Sequence, residues 1–273
     1  MNIKNFEKRI SYLIKRITEY PLKELDDSKT LINLNNSIPN NVYQTWENKF
    51  FGKNHFKEIQ KFRNINNNLN FFIYDKKRRD DYMSDNWQKN DIYEIYKKAK
   101  FGQIKADIFR YCILYERGGY YFDISKGCKI PLTQLHQKDT EALLCNEPQY
   151  STTPPNHKIF DLLKYPFNNF LQWGLGFKRK HILLKMIIDT IIQDYPNYVN
   201  KSFNMPKMAI LNITGTNQFT KICRDYFYIY GDKKIVQAGI FFNGKGIFSM
   251  KGSRVRHHLI KEYADIRNMP IFD

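Results

Sequence analysis

The 273-residue chain has no run of about 18 apolar residues, so it offers no membrane-spanning helix. Cysteine is scarce. The four present, Cys112, Cys128, Cys145 and Cys223, lie far apart and form no CxxC pair. That excludes zinc-finger spacing and a disulfide-stapled small fold, and it predicts reduced thiols in a reducing compartment. RNP-type aromatic motifs, a basic helix followed by heptads, internal repeats and low-complexity linkers are also missing. The first twenty residues lack an uninterrupted apolar stretch, so no signal peptide is expected. Acidic residues are few, 27 against 44 Lys and Arg, for a formal net charge of +17. The basic residues are spread out and no nucleic-acid motif accompanies them, so no nucleic-acid partner is expected. An anionic membrane surface, which attracts basic proteins without any motif, suits the charge better. The expected location is cytoplasmic, with a peripheral place at the inner face of a membrane left open.

What is present is core material: 42% hydrophobic and 16% aromatic residues, enough for one sizeable domain. At the N-terminus Ile3, Phe6, Ile10, Leu13, Ile14 and Ile17 recur at helical spacing among Lys and Arg, a basic amphipathic helix ended by Pro21. Such a helix either packs on the domain or lies in a membrane interface. A polar stretch follows over 23–37. Strands are predicted over 41–46 and 69–74, a helix over 54–63, and a charged loop after Asp75. The pattern over 91–117 is helical with a break at Gly102. Gly118-Gly119 then supplies the helix stop, and a strand follows over 120–124. Further on, strands are predicted over 141–145 and 235–238 and helices over 181–193 and 216–228. The stretch 171–177 is broken by glycines. Strand and helix alternate, which implies an α/β fold with a mainly parallel sheet.

The chemistry concentrates in 103–131. Its helix is apolar nearly all round, hence buried, yet it carries Asp107 and Arg110 three residues apart on one face. They form either an ion pair bracing the helix or the lining of a polar pocket that bonds sugar hydroxyls. Asp123 falls at the carboxyl end of the following strand, where open α/β sheets bind ligands. A carboxylate there is well placed for a divalent metal.

The string ADIFRYCILYERGGYYFDIS resembles the core motif of family 32, the sugar-binding, DXD-containing glycosyltransferases, and IPNNVYQTW is similar to that family's first strand. The resemblance covers roughly 38–131. It implies a single GT-A-type (Rossmann-like) nucleotide-binding domain over 38–273, preceded by an amphipathic helix and linker over 1–37. It also implies a retaining transfer of a hexose from a nucleotide-sugar donor to a glycan or lipid-linked acceptor. On that template Asp107, Arg110 and Asp123 are the catalytic set. Gln44, Trp46, Gly119 and Ser125 join Asp107 and Arg110 around the donor, with Trp46 stacking near the base. Asp123 and a C-terminal histidine, His257 or His258, would hold Mn²⁺ or Mg²⁺. Where the family has a second Asp, this chain has Ser125, a poorer ligand for a hard cation. Three alternative consequences follow, ranked in this order: weaker metal binding, replacement of the cation by Lys126, Lys129 or Arg254, or loss of activity. The rival reading is a non-catalytic basic protein on a decayed glycosyltransferase scaffold, binding anionic membrane or nucleic acid.

Overall fold

The computed structural model describes residues 14, 16–32, 34–257 and 266–273. Most of the N-terminal amphipathic helix therefore lies outside the described residues, and at His257 only the backbone is described. Seven strands form the central sheet: β1 (Asn41–Thr45), β2 (Asn70–Tyr74), β3 (Gly119–Phe122), β4 (Ala142–Tyr150), β5 (Asn168–Phe170), β6 (Gly174–Phe177) and β7 (Ile235–Ile240). Their spatial order is β7-β4-β6-β3-β1-β2, with β5 paired to β4. β1, β2, β3, β4 and β7 run one way, while β5 and β6 oppose them. The α/β class and the mainly parallel sheet are as expected.

Around the sheet stand α1 (Lys53–Ile65), α2 (Lys76–Trp87), α3 (Asp91–Lys98), α4 (Gly102–Arg117), α5 (Ile182–Asp194), α6 (Pro206–Ile213) and α7 (Thr216–Tyr230). Side chains alternate across the sheet and feed two cores. Tyr43 and Tyr121 face α4, α5 and α7, whereas Val42, Tyr120 and Phe122 face α1. Helix α4 buries Ile108, Phe109, Cys112, Ile113 and Leu114 completely. At roughly 1.5–3 kcal/mol for each large apolar side chain, that burial outweighs the cost of the polar residues it carries inside. The turn from α4 into β3 needs glycine twice. Gly118 and Gly119 have φ of 64° and 105°. A Cβ on Gly119 would lie 2.4 Å from the Asn41 carbonyl oxygen of β1.

Three elements differ from the sequence expectation. The charged loop after Asp75 is helix α2. The Asp75 side chain caps it by accepting from the Arg78 amide at 2.8 Å, and Tyr82, Met83 and Trp87 bury one face. The glycine-broken stretch contains strand β6, whose Gly176 leaves room for the Tyr120 ring and whose Gly174 leaves room for Phe122. The polar stretch 23–37 is no free connector. Lys23–Glu24 pairs with Phe50–Phe51, Leu25 is fully buried, and Ser28 bridges to Phe71 on the exposed edge of β2. The four cysteines are free and buried. No helix among the described residues is long and apolar enough to cross a membrane.

Candidate active site

β1 and β3 are adjacent and parallel, so Gln44, Trp46 and Asp123 come to the same carboxyl edge of the sheet. Asp123 is fixed through its backbone: its amide donates to the Trp173 carbonyl at 2.9 Å, and its own carbonyl accepts from the Lys126 amide at 2.8 Å. The turn that follows is clamped from two sides. His55 of α1 donates through Nε2 to the Ile124 carbonyl at 3.0 Å, and the Met250 amide donates to the Ser125 carbonyl at 2.9 Å.

Helix α4 delivers Arg110 beneath this turn. Its Nη1 donates to the Gln172 carbonyl at 2.8 Å. Its Nη2 lies 3.0 Å from Asp123 Oδ1 and 3.3 Å from Asp107 Oδ1. The guanidinium also sits 4.6 Å from the centre of the Tyr121 ring. Asp107 completes its bonding by accepting from the Thr214 hydroxyl at 2.9 Å. The Thr214 carbonyl in turn accepts from Tyr111 at 2.9 Å and from Gln172 Nε2 at 2.8 Å. Asp107 and Arg110 are 7% and 5% exposed, while the Asp123 side chain is 35% exposed. The ion pair is therefore buried and reaches the surface through Asp123. Burial pushes the Asp107 carboxyl up to about 7, against the pull of Arg110 and Thr214. Burial also works against the charge on Arg110, but Tyr121, Asp123 and Asp107 more than offset it and hold the guanidinium protonated.

The other expected site residues are placed as follows. Trp46 follows β1, half-buried, its amide donating to the Tyr74 carbonyl at 3.1 Å. Gln44 is fully buried, and neither of its amide atoms has a hydrogen-bond partner. Such a group costs about 1–3 kcal/mol. Gly119 stands at the far end of β3 from Asp123, about 13 Å along the strand, and serves the packing of β3 on β1. Ser125 is half-buried in the clamped turn. The His257 side chain and His258 lie outside the described residues. His55, Gln172, Thr214 and Trp173 are the site's supporting residues that sequence reasoning did not single out. The fragments that hold the last three, LQWGLGF and ITGTNQFT, did carry a signal in their buried polar residues among apolar neighbours.

Among the described residues no three His, Cys, Asp or Glu side chains gather as a metal cluster. The donor set that exists, a part-exposed Asp123 carboxylate with the Ser125 hydroxyl close in sequence, fits a hard cation that draws its other ligands from water and a diphosphate.

Residues 8–142 match the family described as "Glycosyltransferase sugar-binding region containing DXD motif". The chain is 26% identical over 209 residues to the initiation-specific alpha-1,6-mannosyltransferase of Candida albicans, covering 69% of this chain and 53% of that protein. It is 25% identical over 130 residues to inositol phosphoceramide mannosyltransferase 1 of Schizosaccharomyces pombe, covering 46% of this chain and 40% of that one. The chain thus spans about half the length, or less, of these relatives. A solved structure titled PaToxG Glycosyltransferase superposes with a TM-score of 0.48 at 14% identity, covering 85% of this chain and 82% of that one.

Proposed function

Because residues 8–142 belong to the sugar-binding, DXD-containing region of glycosyltransferases, we propose that the chain moves a hexose from a nucleoside-diphosphate sugar to a glycan or lipid-linked acceptor, with retention, on a GT-A-type domain. The observation that carries this reading is the Arg110 guanidinium joining Asp107 and Asp123 at the carboxyl edge of the sheet. The Asp107–Arg110 pair presents charge-assisted donors and acceptors for sugar hydroxyls beside Asp123, and Trp46 offers a ring for the base. In the transfer, the bond from the anomeric carbon to the acceptor oxygen forms as the bond to the diphosphate oxygen breaks. The acceptor's proton passes to the departing diphosphate. The protein's part is positioning and charge stabilisation. Arg254, exposed and close enough for its charge to act on Lys126, would face the diphosphate. A divalent cation held by Asp123 and Ser125 would neutralise charge on the leaving diphosphate.

The fission-yeast relative is named for inositol phosphoceramide, which supports keeping lipid-linked acceptors in view. The net charge of +17 supports a peripheral place on an anionic membrane.

A screen of nucleotide-sugar hydrolysis tests the reading without an acceptor. The expected result is release of free hexose from at least one donor, abolished in Asp123→Ala. Near-normal turnover by Asp123→Ala would overturn the site. Ser125 favours one rival, a non-catalytic scaffold. A thermal shift by heparin together with none by UDP, GDP or Mn²⁺ would favour that rival.

A further inference from the structure

At the carboxyl edge of β4, two strands from Asp123, polar groups stand without partners. Alternation along β4 puts Glu147 on the face of Leu143 and Cys145, the side away from α4 and Arg110. Its half-buried carboxylate makes no hydrogen bond or ion pair with any described residue, although the charges of Lys126 and Asp123 both act on it. Burial pushes that carboxyl up to about 7. Lys126 does not neutralise it by contact, because its Nζ donates to the Phe248 carbonyl at 2.6 Å and lies 3.6 Å from the centre of the Phe248 ring. On the same face, the buried Nε1 of Trp173, whose carbonyl holds Asp123, has no partner.

The loop after β7 roofs this corner. Phe241, Phe242 and Asn243 are consecutive left-handed residues with φ of 45°, 54° and 53°. Non-glycine residues adopt this conformation only when the surrounding structure holds them there. The loop is held there by the Phe241 amide on the Asn146 carbonyl at 3.0 Å and the Phe242 amide on Cys145 Sγ at 3.0 Å. Its effect is to set Phe241 against Trp173 and Phe248, leaving the Phe248 ring 52% exposed. Lys126 ties the corner together, its charge acting on Glu147 and its Nζ lying over the Trp173 and Phe248 rings, and an exposed ring with an unpaired carboxylate and an ammonium complements a sugar. The sugar's C–H face lies on the ring, and its hydroxyls find both donors and acceptors.

We propose that Glu147, Trp173 and Phe248 form the acceptor subsite, a place for a saccharide whose reacting hydroxyl is held by Glu147 and directed toward the donor at Asp123. This deepens the glycosyltransferase reading and rests on it. Donor and acceptor then meet across the Asp123 turn, with Arg110 on one side and Glu147 on the other.

The test uses the full chain with methyl α-mannoside, methyl α-glucoside and methyl β-galactoside as acceptor probes. Their binding is read by saturation-transfer NMR, which needs no turnover. At least one glycoside should bind the wild type. Glu147→Gln, a near-isosteric change, should weaken that binding about tenfold, as loss of a hydrogen bond to a charged group does. Phe248→Ala, an exposed substitution, should weaken it severalfold. With a donor found by the hydrolysis screen, the ratio of transfer to hydrolysis should fall about tenfold in Glu147→Gln, a split that a merely structural role would not produce. The subsite is overturned if no glycoside binds the wild type, if neither variant changes affinity by more than twofold, or if transfer and hydrolysis fall together. Absence of donor hydrolysis in the wild type would instead strike the glycosyltransferase reading, leaving the NMR to decide the subsite by itself.

Discussion

Replacing Arg110 by Met removes a charge while keeping most of the side chain's length, and the structure says what is left behind. Asp107 loses the guanidinium 3.3 Å away and keeps only the Thr214 hydroxyl, and Asp123 loses its 3.0 Å partner. Above about pH 7, where Asp107 is ionised, breaking this buried pair by removing one member costs about 3–5 kcal/mol, since the other charge stays behind uncompensated. For a chain of this size that is a fall in Tm on the order of 10 °C. The loss should depend on pH in one direction. The folded-state pKa of Asp107, about 7, already lies above the ordinary carboxyl value near ~4, so the folded state holds a proton that the unfolded state releases. The stability this group contributes is fully present below about pH 4 and declines as pH rises toward 7. Without Arg110 the folded pKa climbs further and the decline extends to higher pH. The gap between wild type and Arg110→Met should therefore widen from pH 5 to pH 8. Thermal or urea melts across that range measure it. Adding Asp107→Asn should recover part of the stability and flatten the pH dependence, without restoring donor hydrolysis. A gap below about 1 kcal/mol at pH 8, or one constant with pH, would refute the reasoning.

Gly119→Ala should cost several kcal/mol, because its Cβ would sit 2.4 Å from the Asn41 oxygen at a φ of 105°; a melt within about 1 kcal/mol of wild type would contradict that geometry. Asp75→Ala should cost about 1 kcal/mol by uncapping α2, seen as a lower denaturation midpoint, and Asp75→Asn should recover most of it. Donor hydrolysis should fall in EDTA and return with Mn²⁺ or Mg²⁺, and undiminished activity in EDTA would sink the metal assignment.

What the sequence made legible is what local pattern encodes. The α4–glycine–β3 unit was readable because burial, helix termination and strand alternation all act within a few residues of one another. The break at Gly102 was readable for the same reason. β6 was not, because Gly174 and Gly176 answer to Phe122 and Tyr120, rings some fifty residues away that no local pattern reveals. α2 was hidden by its charge: its apolar face is only Tyr82, Met83 and Trp87, and Arg79 is buried through Tyr96 and Thr45. Within the site, Asp107, Arg110 and Asp123 were legible as one constellation. Thr214, Gln172 and His55 were not, since their roles come from contacts across the fold.

Ser125 takes on a different weight in light of that support. A second acidic residue at that position would help hold Asp123 in place through a shared cation. Here the turn is held by protein alone: Trp173 and Lys126 fix the Asp123 backbone, His55 the Ile124 carbonyl, Met250 the Ser125 carbonyl, and Arg110 the Asp123 carboxylate. Five hydrogen bonds, four of them from outside the turn, leave it little freedom, so its geometry does not wait on a metal to form. Replacing Asp by Ser at 125 therefore lowers the negative charge offered to a cation without loosening Asp123. The expected consequence is weaker cation affinity at an unchanged donor geometry. Ser125→Asp should accordingly lower the Mn²⁺ concentration giving half-maximal donor hydrolysis by about tenfold, with little change in melting temperature in the absence of metal. An unaltered Mn²⁺ requirement in Ser125→Asp would show that this position does not reach the cation at all.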